Sequence, residues 1–227
     1  MNGDRATPYH RVARAEGLVP ALTVLLEEVC DGALPTGAAG HAIVPAAVAE
    51  RAERVWTGDV VTARDRERET PAAPLHLHGE TLTTLRAAGV AAPADAPHAP
   101  RDAWELGLLR LRLGLSEGLR DHCLAHLASR TTAGTPLLQQ QLVKGQLAEA
   151  ATDHLEVRTM LSGTAPGELE PAEVTALHER ITTADRGLLL LLGGSGFRTD
   201  GPGLTAHVSE TLADAYTGVP LGEGALT

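Results

Sequence analysis

The sequence predicts a mainly α protein: a four-helix bundle in its second half, preceded by a reduced part that mixes helices with short strands. Three observations predict it. Hydrophobic residues make up 43% of the 227 positions but aromatics only 2%, so the core is built from Leu, Val and Ala, which favour helices. From Trp104 onward, four long segments carry helical patterns separated by short connections, the signature of antiparallel neighbours. Between Trp56 and Ala87, Val and Thr alternate in short runs broken by proline and charge, which reads as two or three strands.

Taken in order, residues 1 to about 30 read as one amphipathic helix. Val12, Leu18, Leu22, Leu25, Leu26 and Val29 recur near helical spacing, with Pro20 as a kink or a start. "CDGALPTGAAGH", Cys30 to His41, reads as a glycine-rich loop. "VPAAVAERAERVW", Val44 to Trp56, reads as a short helix with Pro45 suited to its first turn. "VWTGDVVTAR" and "PLHLHGETLTTLRA" supply the strands, and "RDRERE", Arg64 to Glu69, a solvated loop between them. The proline-rich stretch Gly89 to Asp102 reads as a linker, dividing a front part, 1–100, from a bundle, 101–227.

The bundle's first helix runs from Trp104 to near Arg130. Its second starts around Pro136 and ends near Leu161. A third runs from Pro171 into five consecutive leucines, Leu188 to Leu192, and stops at Gly193 and Gly194. A fourth precedes Gly218. Five adjacent leucines leave no polar side, so the end of the third helix is expected to contact protein all round, a second subunit included. Burying each leucine contributes roughly 1.5–3 kcal/mol.

A net charge of −10 excludes a phosphate-neutralising surface, so no nucleic acid is expected. Lys144 is the sole lysine. Two cysteines, Cys30 and Cys123, are too few for a disulfide framework or a four-cysteine zinc site and read as small core residues. No apolar run reaches the length of about 18 residues that a membrane span needs. The run Leu18 to Leu26 is cut by Glu27 and Glu28 rather than ending in small residues as a secretory signal does. A cytoplasmic protein with no membrane partner is the expectation. His76, His78 and Glu80 would share a face if their segment were one strand, and His122 and His126 lie four apart on a helix. Neither set has further ligands nearby, and no metal site is predicted. Ser195 in "GGSGF" follows a helix rather than a strand, the wrong setting for a nucleophile elbow.

Four motifs recur at consistent intervals on the predicted bundle helices. "SRTTAGTPLLQQQLVKGQLAE" holds Arg130, Gly134 and Gln141; "LEVRTML" holds Arg158; then come "LLGGSGF" and "DAYTG". Together they resemble the C-terminal helical domain of the acyl-CoA dehydrogenase superfamily, over about residues 104–218. The resemblance implies an oxidoreductase acting on an acyl thioester with FAD. Arg130 would meet a cofactor phosphate, Gln141 would offer its amide, and Gly193, Gly194 and Gly196 would let the backbone approach the diphosphate. The glycine pair also reads as a helix C-cap, and Arg130 as a complement to a helix dipole.

The chain departs from the family pattern where the resemblance implies a catalytic base. Thr217 stands at the position of the usual Glu in Tyr-Glu-Gly, and a threonine hydroxyl does not accept that proton at neutral pH. Some relatives place the Glu near the start of the first long helix. Glu105 lies there, although the gap-free match falls on Trp104. Val208 and Ser209 replace an Arg-Asp pair, and Leu190 a cofactor-binding glutamine. About 100 residues precede Trp104, too few for a full helical domain and a full β-domain. The resemblance therefore implies FAD shared across subunits, in a homo-oligomer or with a full-length acyl-CoA dehydrogenase-like partner. Two other readings stay open: a flavin-free derivative of the fold, and a non-catalytic subunit that stabilises a partner.

Overall fold

A computed structural model describes residues 7–37, 39–56, 60–87, 99–198 and 201–217. Gly218 and most of the expected linker, 88–98, lie outside them. The first two helices are α1 (Pro8–Glu16) and α2 (Leu18–Val29). They are not the single helix expected, because Gly17 between them takes φ 101°, a conformation that ends a right-handed helix. Pro20 falls in the first turn of α2, where its missing N–H costs nothing.

The expected loop after α2 contains β1 (Ala33–Pro35), and the expected helix from Val44 is split into β2 (His41–Pro45), α3 (Ala46–Arg51) and β3 (Arg54–Trp56). Then follow β4 (Val61–Ala63), β5 (Glu69–Pro71), β6 (Leu75–Leu77) and β7 (Glu80–Ala87). β1 runs parallel to β3, which pairs antiparallel with β4. β7 pairs antiparallel with β2, β5 and β6. Most of these strands are three residues long, too short for alternation to be read. Arg64 is no solvated residue either: its guanidinium pairs with Glu69 and donates to the Ala49 and Ala52 carbonyls.

The bundle consists of α4 (Ala99–Ala128), α5 (Gln141–Leu161), α6 (Pro171–Leu192) and α7 (Pro202–Thr217). α6 opens with a reciprocal capping box between Glu170 and Glu173, which satisfies two free N–H groups. α5 begins five residues later than Pro136 suggested. Ala133 and Gly134 both take positive φ, the geometry of a tight hairpin turn, so β8 (Thr131–Thr132) and β9 (Thr135–Pro136) pair first.

α4 is the rod buried on most sides. One face packs on α1, α2, the sheets and α7; the other meets α5 and α6 through Leu106, Leu109, Leu113 and Leu119. The front helices seat against its glycines. A Cβ at Gly114 would lie 2.4 Å from the His10 carbonyl, one at Gly118 2.9 Å from that of Arg14, and one at Gly107 2.4 Å from Leu25. In the leucine run ending α6, Leu188, Leu189 and Leu192 are buried within the chain, and Leu190 is 66% exposed. Both cysteines are free and buried, and burial pushes their thiols up to about 12. Among the described residues no helix is long and apolar enough to cross a membrane.

Candidate functional site

Most of the residues implied to hold a cofactor collect at one end of the bundle. Arg130 follows the end of α4, exposed, and its guanidinium has no hydrogen-bond or ion-pair partner among the described residues. One turn earlier, His126 Nε2 lies 3.3 Å from Ser195 Oγ, in the short 3-10 turn Gly193–Ser195 that ends α6. Because Ser195 donates its own proton to the Leu192 carbonyl at 2.6 Å, His126 is the donor in this pair. Partial burial, then the charges of Arg130 and His122, lower the His126 pKa, so it is neutral beside Arg130. α5 starts at this same end, since Leu147 packs into the cluster that contains Leu192, and Gln141 is its exposed first residue.

The three glycines divide. Gly193 takes φ 55°, and a Cβ there or at Gly194 would meet nothing within 4 Å. Both present bare backbone outward. Gly196 is buried instead: a Cβ would lie 3.0 Å from the Leu189 carbonyl, and its own carbonyl accepts from Gly203 N–H at 2.9 Å. Gly196 thus joins α6 to α7. Arg158 does not belong to this surface either, because it turns inward to Glu117.

Next to the position of the usual base the packing is closed, whereas Thr217 itself is partly exposed and lines a cavity of 450 Å³ with Arg112, His178 and Asp214. Trp104 and Tyr216 meet edge to face at 5.0 Å, and Trp56 meets Trp104 at 6.2 Å. Tyr216 Oη accepts from Ile43 N–H at 3.0 Å and donates to the Ile43 carbonyl at 3.2 Å. Gly37 presses on the end of α7 so closely that a Cβ would fall 1.7 Å from the Ala215 carbonyl. Thr217 donates to the Ala213 carbonyl at 2.8 Å, an ordinary intrahelical bond. Glu105 is not drawn to Tyr216. Trp104 takes the inward place, and one residue further on is a rotation of about 100°; Glu105 pairs with Arg101 at 3.0 Å. His78 is separated from His76 and Glu80 by sitting in the β6–β7 turn, at φ 51°, where its Nε2 is 3.0 Å from Thr205 Oγ1. Among the described residues no group of three His, Cys, Asp or Glu is placed to hold a metal ion.

Sequence reasoning missed a buried polar seam along α4. Arg112, 1% exposed, donates to Ser209 Oγ (3.0 Å), His178 Nδ1 (2.8 Å) and Thr182 Oγ1 (2.9 Å). Burial and then Arg112 hold His178 well below the usual histidine pKa, so it is neutral and its proton sits on Nε2. One turn on, Ser116 Oγ lies 2.7 Å from His154 Nε2, while His154 Nδ1 faces Arg120 at 3.3 Å. Burial, then Arg120, lowers His154 to about 4. A guanidinium on Nδ1 fixes the proton on Nε2, so His154 donates to Ser116, and Ser116 donates to Asp185. Burial would raise Glu117, but bonds from His10 and Arg158 pull it to about 2. The signal was present in the sequence: Arg112, Ser116, Glu117, Arg120 and Asp121 form a polar stripe on an otherwise leucine-rich helix.

No protein-family model matches the chain, and no curated protein matches it. Solved structures do. Glutaryl-CoA dehydrogenase from Mycobacterium smegmatis in complex with FADH2 matches with TM-score 0.53 and 16% identity, over 82% of this chain and 57% of that one. A variant of the Tcur3481-Tcur3483 steroid ACAD matches with TM-score 0.57 and 17% identity, over 92% of this chain and 70% of that one. Acyl-CoA dehydrogenase from Slackia heliotrinireducens matches with TM-score 0.55 and 12% identity, over 92% and 69%. The chain has the acyl-CoA dehydrogenase fold and spans 57% of the length of the glutaryl-CoA dehydrogenase it resembles.

Proposed function

We propose, with the acyl-CoA dehydrogenase fold as premise, that this chain is a subunit of a flavin-linked oxidoreductase acting on an acyl thioester. It contributes the phosphate-binding half of a site that a partner subunit completes. The observation that carries the reading is that Arg130, which has no partner among the described residues, and the outward backbone of Gly193 and Gly194 lie at one end of the bundle. A guanidinium there offers a bidentate contact to a diphosphate, and Gln141 offers an amide from the first turn of α5. These groups fit the diphosphate of FAD. The face formed by Trp104 and Tyr216 does not fit its ring, because aromatic packing and the Gly37 loop fill it. FAD, when bound, supplies the two-electron acceptor; this chain's part is to hold the phosphates, and the base comes from the partner. One of the structures it resembles is designated by two components, Tcur3481-Tcur3483, which supports a shared site.

The same packing favours a second reading, a flavin-free subunit that only stabilises a partner. Purification alone, and after co-expression with a full-length acyl-CoA dehydrogenase-like chain, separates the two by visible absorbance. The half-site reading expects flavin only in the complex, with retention falling about tenfold on Arg130→Ala, the loss of one charged hydrogen-bonding group. Unchanged retention in Arg130→Ala removes the half-site and leaves the stabilising subunit.

A further inference from the structure

We propose that a cavity between the front helices and the bundle binds a small apolar alcohol, whose hydroxyl donates to Asp185 and accepts from Ser209. The cavity measures 310 Å³, a volume at the lower end of those that ligand pockets span. α1 supplies Ala13, α4 supplies Leu115 and Leu119, α7 supplies Ala206 and Ser209, and α6 brings Asp185. The buried floor is therefore leucine and alanine around Asp185 and Ser209, and the exposed mouth carries the charged and histidine side chains.

The polar groups define what is missing. Asp185 is 5% exposed, and its Oδ1 is buried with no hydrogen-bond partner among the described residues. Leaving such an acceptor unmet forfeits its hydration with nothing in return, and the cost is greater for a charged group. The carboxylate has its distributed charge compensation already, in Arg112 and the Ser116 hydroxyl. What it lacks is one donor. Ser209, 1% exposed, accepts from Arg112 Nε and has no acceptor for its own proton among the described residues. At the cavity's mouth His78 is held by Thr205 and Arg14 by Asp121 and Glu117, while Glu16 and His122 are exposed to solvent. The buried demand left unmet is thus a donor for Asp185 and an acceptor for Ser209, two side chains that line the same cavity beside leucine and alanine.

A hydroxyl supplies both. An ammonium has three donors and no acceptor, so it would leave Ser209 unmet and strand its own protons against Leu115 and Leu119. A ketone accepts from Ser209 but gives Asp185 nothing. The site stands independently of the flavin half-site, since it uses none of Arg130, Gln141 or the glycine turn.

Cyclohexanol and cyclohexanone, nearly equal in size, are the probes. Titrated into the isotope-labelled full chain and followed by amide NMR, cyclohexanol should give saturable shifts around Asp185 in α6 and Leu115 to Leu119 in α4. Cyclohexanone should bind at least tenfold more weakly. Asp185→Leu should weaken cyclohexanol at least tenfold. Ala206→Phe, which fills the cavity from α7 and leaves Asp185 in place, should abolish binding while circular dichroism stays unchanged. Equal affinity for the two probes, no saturable shift, or shifts that survive Ala206→Phe would overturn the proposal.

Discussion

At the scale of single residues, the buried titratable groups set how the fold responds to acid. Glu117 is held at about 2 against an ordinary 4.5, so its contribution is complete above pH 4.5 and is lost as pH falls toward 2. His154 is buried neutral, at about 4 against 6.5. The unfolded chain binds that proton first, so stability present above pH 6.5 is lost as pH falls toward 4, by about 1.4 kcal/mol per unit of displacement. His178 acts in the same sense. Asp185 acts in the opposite one: burial raises it to about 6, the folded state takes up its proton before the unfolded state does, and stability rises as pH falls from 6 toward 3.8. Urea midpoints of the wild type should therefore fall only gently between pH 6 and 4. Asp185→Asn, which deletes the opposing contribution, should fall more steeply over that window. Parallel curves would show that Asp185 does not titrate there. The polar stripe on α4 was visible in the sequence, but its burial was not, because an Arg, a Ser or a His in a helical pattern reads as an outward residue until the neighbouring helices are in place.

Among elements, α4 shows what a sequence pattern carries and what it omits. Its existence was legible from Trp104 onward, since leucines recur on more than one face, and so were α6 and α7, with Pro171 and Gly193 bounding α6. The use of its glycines was not. Gly114 and Gly145 both sit inside predicted helices and look alike in one dimension. A Cβ at Gly114 would lie 2.4 Å from the His10 carbonyl, whereas one at Gly145 would meet nothing within 4 Å. Gly114→Ala should destabilise by about 2–3 kcal/mol through overpacking against backbone. Gly145→Ala, freed of a flexible residue in a helix, should stabilise by about 0.5–1 kcal/mol. Thermal melts of the two variants moving in the same direction would contradict this assignment. The short strands escaped for a different reason: three residues such as Ala33–Pro35 contain less than two periods of alternation, and only pairing with β3 makes them a strand.

For the molecule as a whole, the motif spacing put Arg130 and the glycine turn in one implied half-site, but did not show that aromatic packing fills the face of Trp104 and Tyr216. Tyr216 was legible as part of a family-like ending. Its tertiary bond was not, for it reaches 173 positions back to Ile43 on an edge strand. By meeting both backbone groups of Ile43, its hydroxyl ties the sheet to the bundle. Tyr216→Phe leaves that pair unmet and should cost about 1–3 kcal/mol, read as a lower denaturation midpoint with hydrogen exchange quickening first at Ile43. A midpoint within error of the wild type would mean that water replaces the hydroxyl there.

The seat of α1 has a consequence for how the polypeptide is made. Arg14 meets Asp121, 107 positions downstream, and the glycine groove that receives α1 is equally remote. At synthesis rates of roughly 5–20 residues per second, some 5–20 s separate the emergence of that helix from the ribosome and the arrival of its groove. Over that interval the nascent chain carries an uncovered stripe of Leu18, Leu22 and Leu25, a target for a holding chaperone. Slowing translation across the intervening codons should lengthen the exposure and increase aggregation, without changing a single contact in the finished protein.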